Sequence, residues 1–161
     1  MFVGCGADNE ASGELSKDEY ETAFREIYAE EQTFPDPLEA LSGSASPADA
    51  AGAFHEASDI LDRRGEQLDA LSPPADIAAE HTGFVENVEA ASKVFERTAR
   101  LIDDKGALAV KVTKNMLATP EGTAALIGAT PEVAANRAAF AQAVEEGDYD
   151  IADLIEPSAG G

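Results

Sequence analysis

Two histidines, one cysteine and 32 acidic residues are the side chains through which this chain could do chemistry. His81 is the most unusual of them. It falls in the series Ile77, His81, Phe84, Val88, Ala91, Phe95, Thr98 and Ile102, whose spacings of four and three trace one seam of a helix. A titratable ring on such a seam serves as a metal ligand or proton carrier only with partners. His55 is the nearest candidate, but it stands beside Phe54 rather than on a seam. At 1.5 Å per residue, an antiparallel hairpin turning near Pro73 leaves the two histidines roughly 12 Å apart along the axis. Neither belongs to a Glu-x-x-His or His-Glu-x-x-His pattern. A core or boundary histidine without metal is therefore the favoured reading of His81. On that reading, His81→Leu leaves stability equal or higher, and added zinc does not move the melting temperature. A metal-handling bundle using His81 with acidic partners is the alternative.

The acids are too numerous to be informative as pairs. Glu30-Glu31, Asp103-Asp104 and Glu145-Glu146 read as solvated helix faces or ends, and Asp148-Tyr149-Asp150 supplies only two of the alternating acids of a calcium loop. No Gly-x-Ser-x-Gly elbow, Ser-x-x-Lys pair or glycine-rich phosphate loop is present. No catalytic residue and no cofactor are expected, and an enzyme ranks third behind the binding and metal readings.

Cys5 is the single cysteine, so no internal disulfide forms. Phe2-Val3-Gly4-Cys5 resembles the lipobox of bacterial lipoproteins, in which the cysteine carries the lipid; Phe2 stands where leucine is commoner. The basic and apolar regions of a signal peptide do not precede it, and the expectation is that the chain as given starts late. The polar stretch Gly6–Glu14 has the composition of a tether. Together with an acidic, alanine-rich body and the entry Pro73-Pro74-Ala75-x-x-Ala78-x-x-His81-x-x-Phe84, this start resembles small helical lipoproteins of high-GC Gram-positive bacteria. That resemblance implies an all-α fold and a lipid-anchored location on the outer face of the cytoplasmic membrane, with a cytoplasmic protein as the alternative. It implies no reaction.

The net charge of −21 argues against nucleic-acid binding, which requires clustered cations. It suits either high salt or an exported protein kept soluble near a surface. The cations are uneven. Lys93, Arg97, Arg100, Lys105, Lys111 and Lys114 face only Glu96, Asp103 and Asp104 in the segment 93–114, which is +3 and leaves −24 for the remainder. Pairing with acids of neighbouring helices is the simpler reading, and an anion or headgroup contact is the functional one.

The elements that hold these residues read as helices. The apolar fraction of 44% is rich in alanine and lacks tryptophan; only Leu108, Val110 and Val112 alternate as a strand would. Ser16-Lys17-Asp18-Glu19 is a capping box, and Tyr20, Phe24 and Ile27 face inward beyond it, beside Ala23 and Tyr28. A turn-rich link spans Phe34 to Ser44. Ser46-Pro47 opens a second helix with the seam Ala50, Phe54, Ala57, Leu61, Leu68 and Leu71, where Arg64 and Gly65 suggest a kink or a reach to a carboxylate. Ser72-Pro73-Pro74 opens the long helix, Gly106 ends it, and Val85, Val94 and Leu101 widen its seam. Thr119-Pro120-Glu121 and Thr130-Pro131-Glu132 repeat one start signal, the second leading to Val133, Phe140 and Val144.

The sequence thus predicts one all-α domain, an antiparallel bundle of about four principal helices near 16–32, 47–71, 73–105 and 131–146. Residues 1–15 form a tether, 16–156 the bundle and 157–161 a tail, with short or irregular helix between 107 and 128. The expected function is a non-enzymatic, extracytoplasmic binding or interaction module, tied to the membrane through lipid on Cys5. Its partner is a protein or an apolar small molecule.

Overall fold

The computed structural model describes residues 13–29, 37–42, 46–126 and 130–155, and all regular structure among them is helical. Among the described residues there are eight helices, where about four principal ones are expected. They are α1 Lys17–Ala29, α2 Pro37–Ser42, α3 Pro47–Asp69, α4 Ala78–Lys105, α5 Ala107–Leu117, α6 Pro120–Leu126, α7 Pro131–Glu146 and α8 Ala152–Ile155. The link after α1 is not simply turn, because α2 lies in it and buries Leu41.

Caps explain several of the ends. The Ser46 side chain accepts from the Asp49 N–H while the Asp49 carboxylate accepts from the Ser46 N–H, which starts α3. The Ser16 N–H and hydroxyl both donate to Glu19 Oε2 at 3.0 and 2.6 Å ahead of α1. Thr130 caps α7 through the Val133 N–H. The long helix starts five residues later than Pro73 suggests. The Ile77 N–H turns back to the Pro74 carbonyl at 3.1 Å, and the first helical bond runs from the His81 N–H to the Ile77 carbonyl. Two consecutive prolines hold their predecessors out of the α region, so the stretch is spent as a turn with Ile77 buried beneath it. Gly106 ends α4 at φ +54°, a backbone angle that favours glycine, and α5 leaves at once in a new direction.

Helices α3 and α4 form the central antiparallel pair. Ser58 and Ser92 meet at its middle, each hydroxyl donating to the other's carbonyl at 3.0 and 3.2 Å, both side chains buried. Nearer the turn, a Cβ on Gly65 would come within 3.3 Å of Glu89 Cγ, so the glycine lets α4 approach. No break occurs at Arg64 and Gly65. The helix runs through, and the Arg64 guanidinium lies 4.2 Å above the Tyr28 ring instead of serving a kink.

The core is one cluster. Tyr20, Phe24, Phe84, Phe140 and Tyr149 fill the half near the α3–α4 turn, and Phe54 packs edge-on against Phe95 in the other half. Helix α7 contributes Phe140 and Val144, both fully buried, with Phe140 stacked on Phe84 at 4.7 Å. The chain then turns at Asp148, a non-glycine residue at φ +56°. Helix α1 secures that turn. Lys17 Nζ donates to the Gly147 carbonyl at 3.0 Å and to that of Asp148, and Arg25 donates to the Asp150 carbonyl and pairs with its carboxylate at 3.2 Å.

Candidate functional site

His81 is 3% exposed and sits among α1, α3, α4 and α7. Its Nε2 lies 3.0 Å from the Leu68 carbonyl oxygen, and its Nδ1 lies 2.7 Å from the Tyr20 hydroxyl. A carbonyl can only accept, so Nε2 carries the proton and Nδ1 accepts from Tyr20. Both nitrogens are thereby used. Burial holds the His81 pKa below the ordinary histidine value, opposed by the Leu68 carbonyl and by Asp69, so the ring is neutral at pH 7. Burial likewise raises the Tyr20 hydroxyl, with Tyr149 and Tyr28 adding to it. The tyrosine thus stays a donor, and a metal at Nδ1 would have to displace it. Tyr149 caps the same cluster by donating to Asp76 at 2.9 Å, and its pKa is pushed up to about 12 by burial and that carboxylate.

His55 is elsewhere, at the far part of the α3–α4 pair, half-exposed between Glu96 Oε2 at 2.8 Å and Asp103 Oδ2 at 2.9 Å. Both ring nitrogens face acceptors, which favours the imidazolium. Its pKa is raised first by the hydrogen bond to Asp103, against desolvation, and then by Glu96. A raised histidine contributes stability below its unfolded value, about 6.5, and loses that contribution as pH rises through its folded value. Exposure keeps the contribution modest. Glu96 also accepts from Arg100 Nε at 2.6 Å. Among the described residues, no group of three or more His, Cys, Asp and Glu side chains is arranged to hold a metal ion.

Among the described residues, the cations of segment 93–114 make no ion pair with an acid of a neighbouring helix, the pairing that the simpler sequence reading expects. Two of them bridge within their own helix, Lys93 to Glu89 at 3.2 Å and Arg100 to Glu96 at 2.6 Å. Arg97, Lys105, Lys111 and Lys114 make no ion pair with any described residue. The first three accompany the exposed large apolar side chains of the described residues, whereas Lys114 lies about 160° round α5 from Val112. The apolar ones are Leu101 at 44%, Leu108 at 65% and Val112 at 46% exposure. Arg97, Leu101 and Lys105 follow one another at four-residue spacing on α4, and Leu108 and Val112 do so on α5, next to Lys111. Leu101 therefore does not widen the buried seam. Asn87, Ser92 and Ala99 are buried on that helix instead, while Leu101 faces out.

Between α4, α5 and α6 this face opens into a groove of about 210 Å³, lined by Val94, Arg97, Leu101, Val112, Met116 and Leu126 among others. A larger hollow of about 610 Å³ lies over α7 and α8, but alanines, Gln142, Glu145 and Asp153 line it, without a large apolar side chain or a cation. The α4–α5 face is the better candidate because it joins apolar area to unneutralised charge. The uneven cations were the only sequence signal for it. Cys5, the expected lipid attachment residue, lies outside the described residues. No described helix is long and apolar enough to cross a membrane. Compared with models of known protein families, with curated proteins and with solved structures, the chain matches none.

Proposed function

We propose that this chain is a non-enzymatic helical binding module, carried on the outer face of the cytoplasmic membrane by lipid on Cys5, whose working surface is the α4–α5 face. We read α1, α3, α4 and α7 as the principal helices of an antiparallel bundle and the shorter helices as its cover. The observation that carries the working surface is the grouping of Leu101, Leu108 and Val112 with Arg97, Lys105 and Lys111 on a protein otherwise strongly acidic. The tether is supported by the lipobox-like Phe2-Val3-Gly4-Cys5 and the polar residues after it. Two acyl chains anchor a protein stably where one does not. The native protein is expected in the membrane fraction with a diacylglyceryl adduct on Cys5 by intact mass, and Cys5→Ala is expected to release it or block its maturation. An unmodified Cys5 in a soluble fraction, with Met1 retained, would defeat the tether.

A further inference from the structure

We infer that the α4–α5 face docks on an anionic lipid surface, Leu101, Leu108 and Val112 entering the headgroup boundary while Arg97, Lys105 and Lys111 meet lipid phosphates. The inference rests on that face being the working surface, and it stands whether or not Cys5 carries lipid.

The occupant follows from shape and charge. The groove beside Leu101 has a volume of about 210 Å³, room for a few methylene groups. A partner helix, about 10 Å across with its side chains, needs far more. A second copy of the chain is disfavoured, because a two-fold contact would set these cations against themselves. A bilayer asks only for apolar side chains standing out from the surface with long cationic ones beside them. Lysine and arginine stems can lie along the apolar strip while their heads reach phosphate. Leu108 and Val112 project from α5 in this way, flanked by Lys111 on the same helix and by Lys105 just before it.

The acidic body does not forbid the contact. Exposed charges more than about 8 Å apart are largely screened at physiological salt. Helix α4 has 28 residues, so it runs about 42 Å. The acids of the α1 start and of the turn after α7 lie near its other end, where Leu15 bonds Ser72 and Tyr149 bonds Asp76, while Asp49, Glu56 and Asp59 of α3 lie beside its C-terminal half. Of the acids in segment 93–114, Asp103 is engaged by His55 and Glu96 by Arg100, which leaves Asp104 as the opposing charge. Each cation near an anionic surface strengthens binding by about fivefold.

The test is co-sedimentation of the full, unlipidated chain with vesicles of phosphatidylcholine containing a quarter phosphatidylglycerol, and with vesicles of phosphatidylcholine alone. Binding is expected to the first and not the second, and to weaken steeply with salt. Lys105→Gln and Lys111→Gln are each expected to weaken it about fivefold, and Asp104→Asn to strengthen it by a similar factor. All three side chains are exposed, so the fold tolerates these changes, and circular dichroism checks that it does. Leu108→Ser is expected to weaken binding severalfold at unchanged charge. Binding to neither vesicle, binding indifferent to the lysines, or binding of poly-glutamate in preference to the anionic vesicles would each overturn the inference. The last would assign an acidic polypeptide to the face. Neither negative vesicle result reads on the lipid at Cys5, which intact mass decides separately.

Discussion

Replacing His81 by leucine is expected to lower the stability of the fold by about 2–4 kcal/mol, seen as a drop in melting temperature of about 5–15 °C. The apolar seam of α4 taken alone expects the opposite, since leucine suits an apolar row. The difference lies in the two partners. Leucine would strand the Tyr20 hydroxyl and the Leu68 carbonyl in a site where His81 is 3% exposed. Each buried orphan costs about 1–3 kcal/mol, and the apolar gain from leucine offsets only part of that. Adding Tyr20→Phe to His81→Leu removes one orphan and is expected to recover some of the loss. The pH dependence has a definite sign. Folded His81 has a lowered pKa, so its neutral form contributes fully above the unfolded value of about 6.5, and the contribution is lost as pH falls below it. His55, with a raised pKa, acts in the opposite direction. The leucine variant is expected to lose the His81 share of the acid-side decline. A variant as stable as the parent would show that the Tyr20–His81–Leu68 chain does not hold α1, α3 and α4 together.

Phe140→Ala is expected to cost about 3–5 kcal/mol, the range for truncating a fully buried aromatic ring. Phe140 stacks on Phe84 and touches Phe24 and His81 with its ring edge or face, so it ties α7 to both α1 and α4. The only other buried side chain of α7 is Val144. Removing the ring leaves a cavity among residues anchored on three helices, which collapse poorly around it. Urea unfolding should show the loss, and amide exchange should quicken most across α7 and α8. Leu108→Ala, at 65% exposure, is the comparison and is expected to change stability by no more than about 0.5 kcal/mol. A Phe140 loss of that same small size would mean that α7 is not docked through this ring.

The residues show why part of this was readable in the chain and part was not. Apolar periodicity is a local property, and it located Tyr20, Phe24 and Ile27 on α1 and Phe84, Val88, Phe95 and Ile102 on α4 as inward-facing. Proline and glycine signals located the starts of α3, α6 and α7 and the end of α4. Helix α4 began late because proline pairs bias a turn as readily as they open a helix. The helix α2 was missed because six residues carry too little pattern to stand out among turn formers. The Ser58–Ser92 contact was missed because serine does not score as apolar. A signal existed all the same. Ala51, Ser58 and Gly65 recur at seven on α3, and Val85, Ser92 and Ala99 do so on α4, which is how two helices mark a close approach. The bonds of His81 to Tyr20 and Leu68, and of His55 to Glu96 and Asp103, join residues 13 to 61 positions apart, and spacing rules do not reach across helices. Leu101 was misread because a hydrophobic residue at the seam's edge looks the same whether it is covered or offered to a partner.

The face carrying Leu101, Leu108 and Val112 is the centre of this account, and amide hydrogen exchange on the protein in its own membranes tests it most directly. Compared with the same protein extracted in detergent and purified, the membrane-borne form is expected to exchange more slowly across residues 97–116, with α1, α3 and α7 unchanged. Protection centred on any other helix, or none at all, would contradict it.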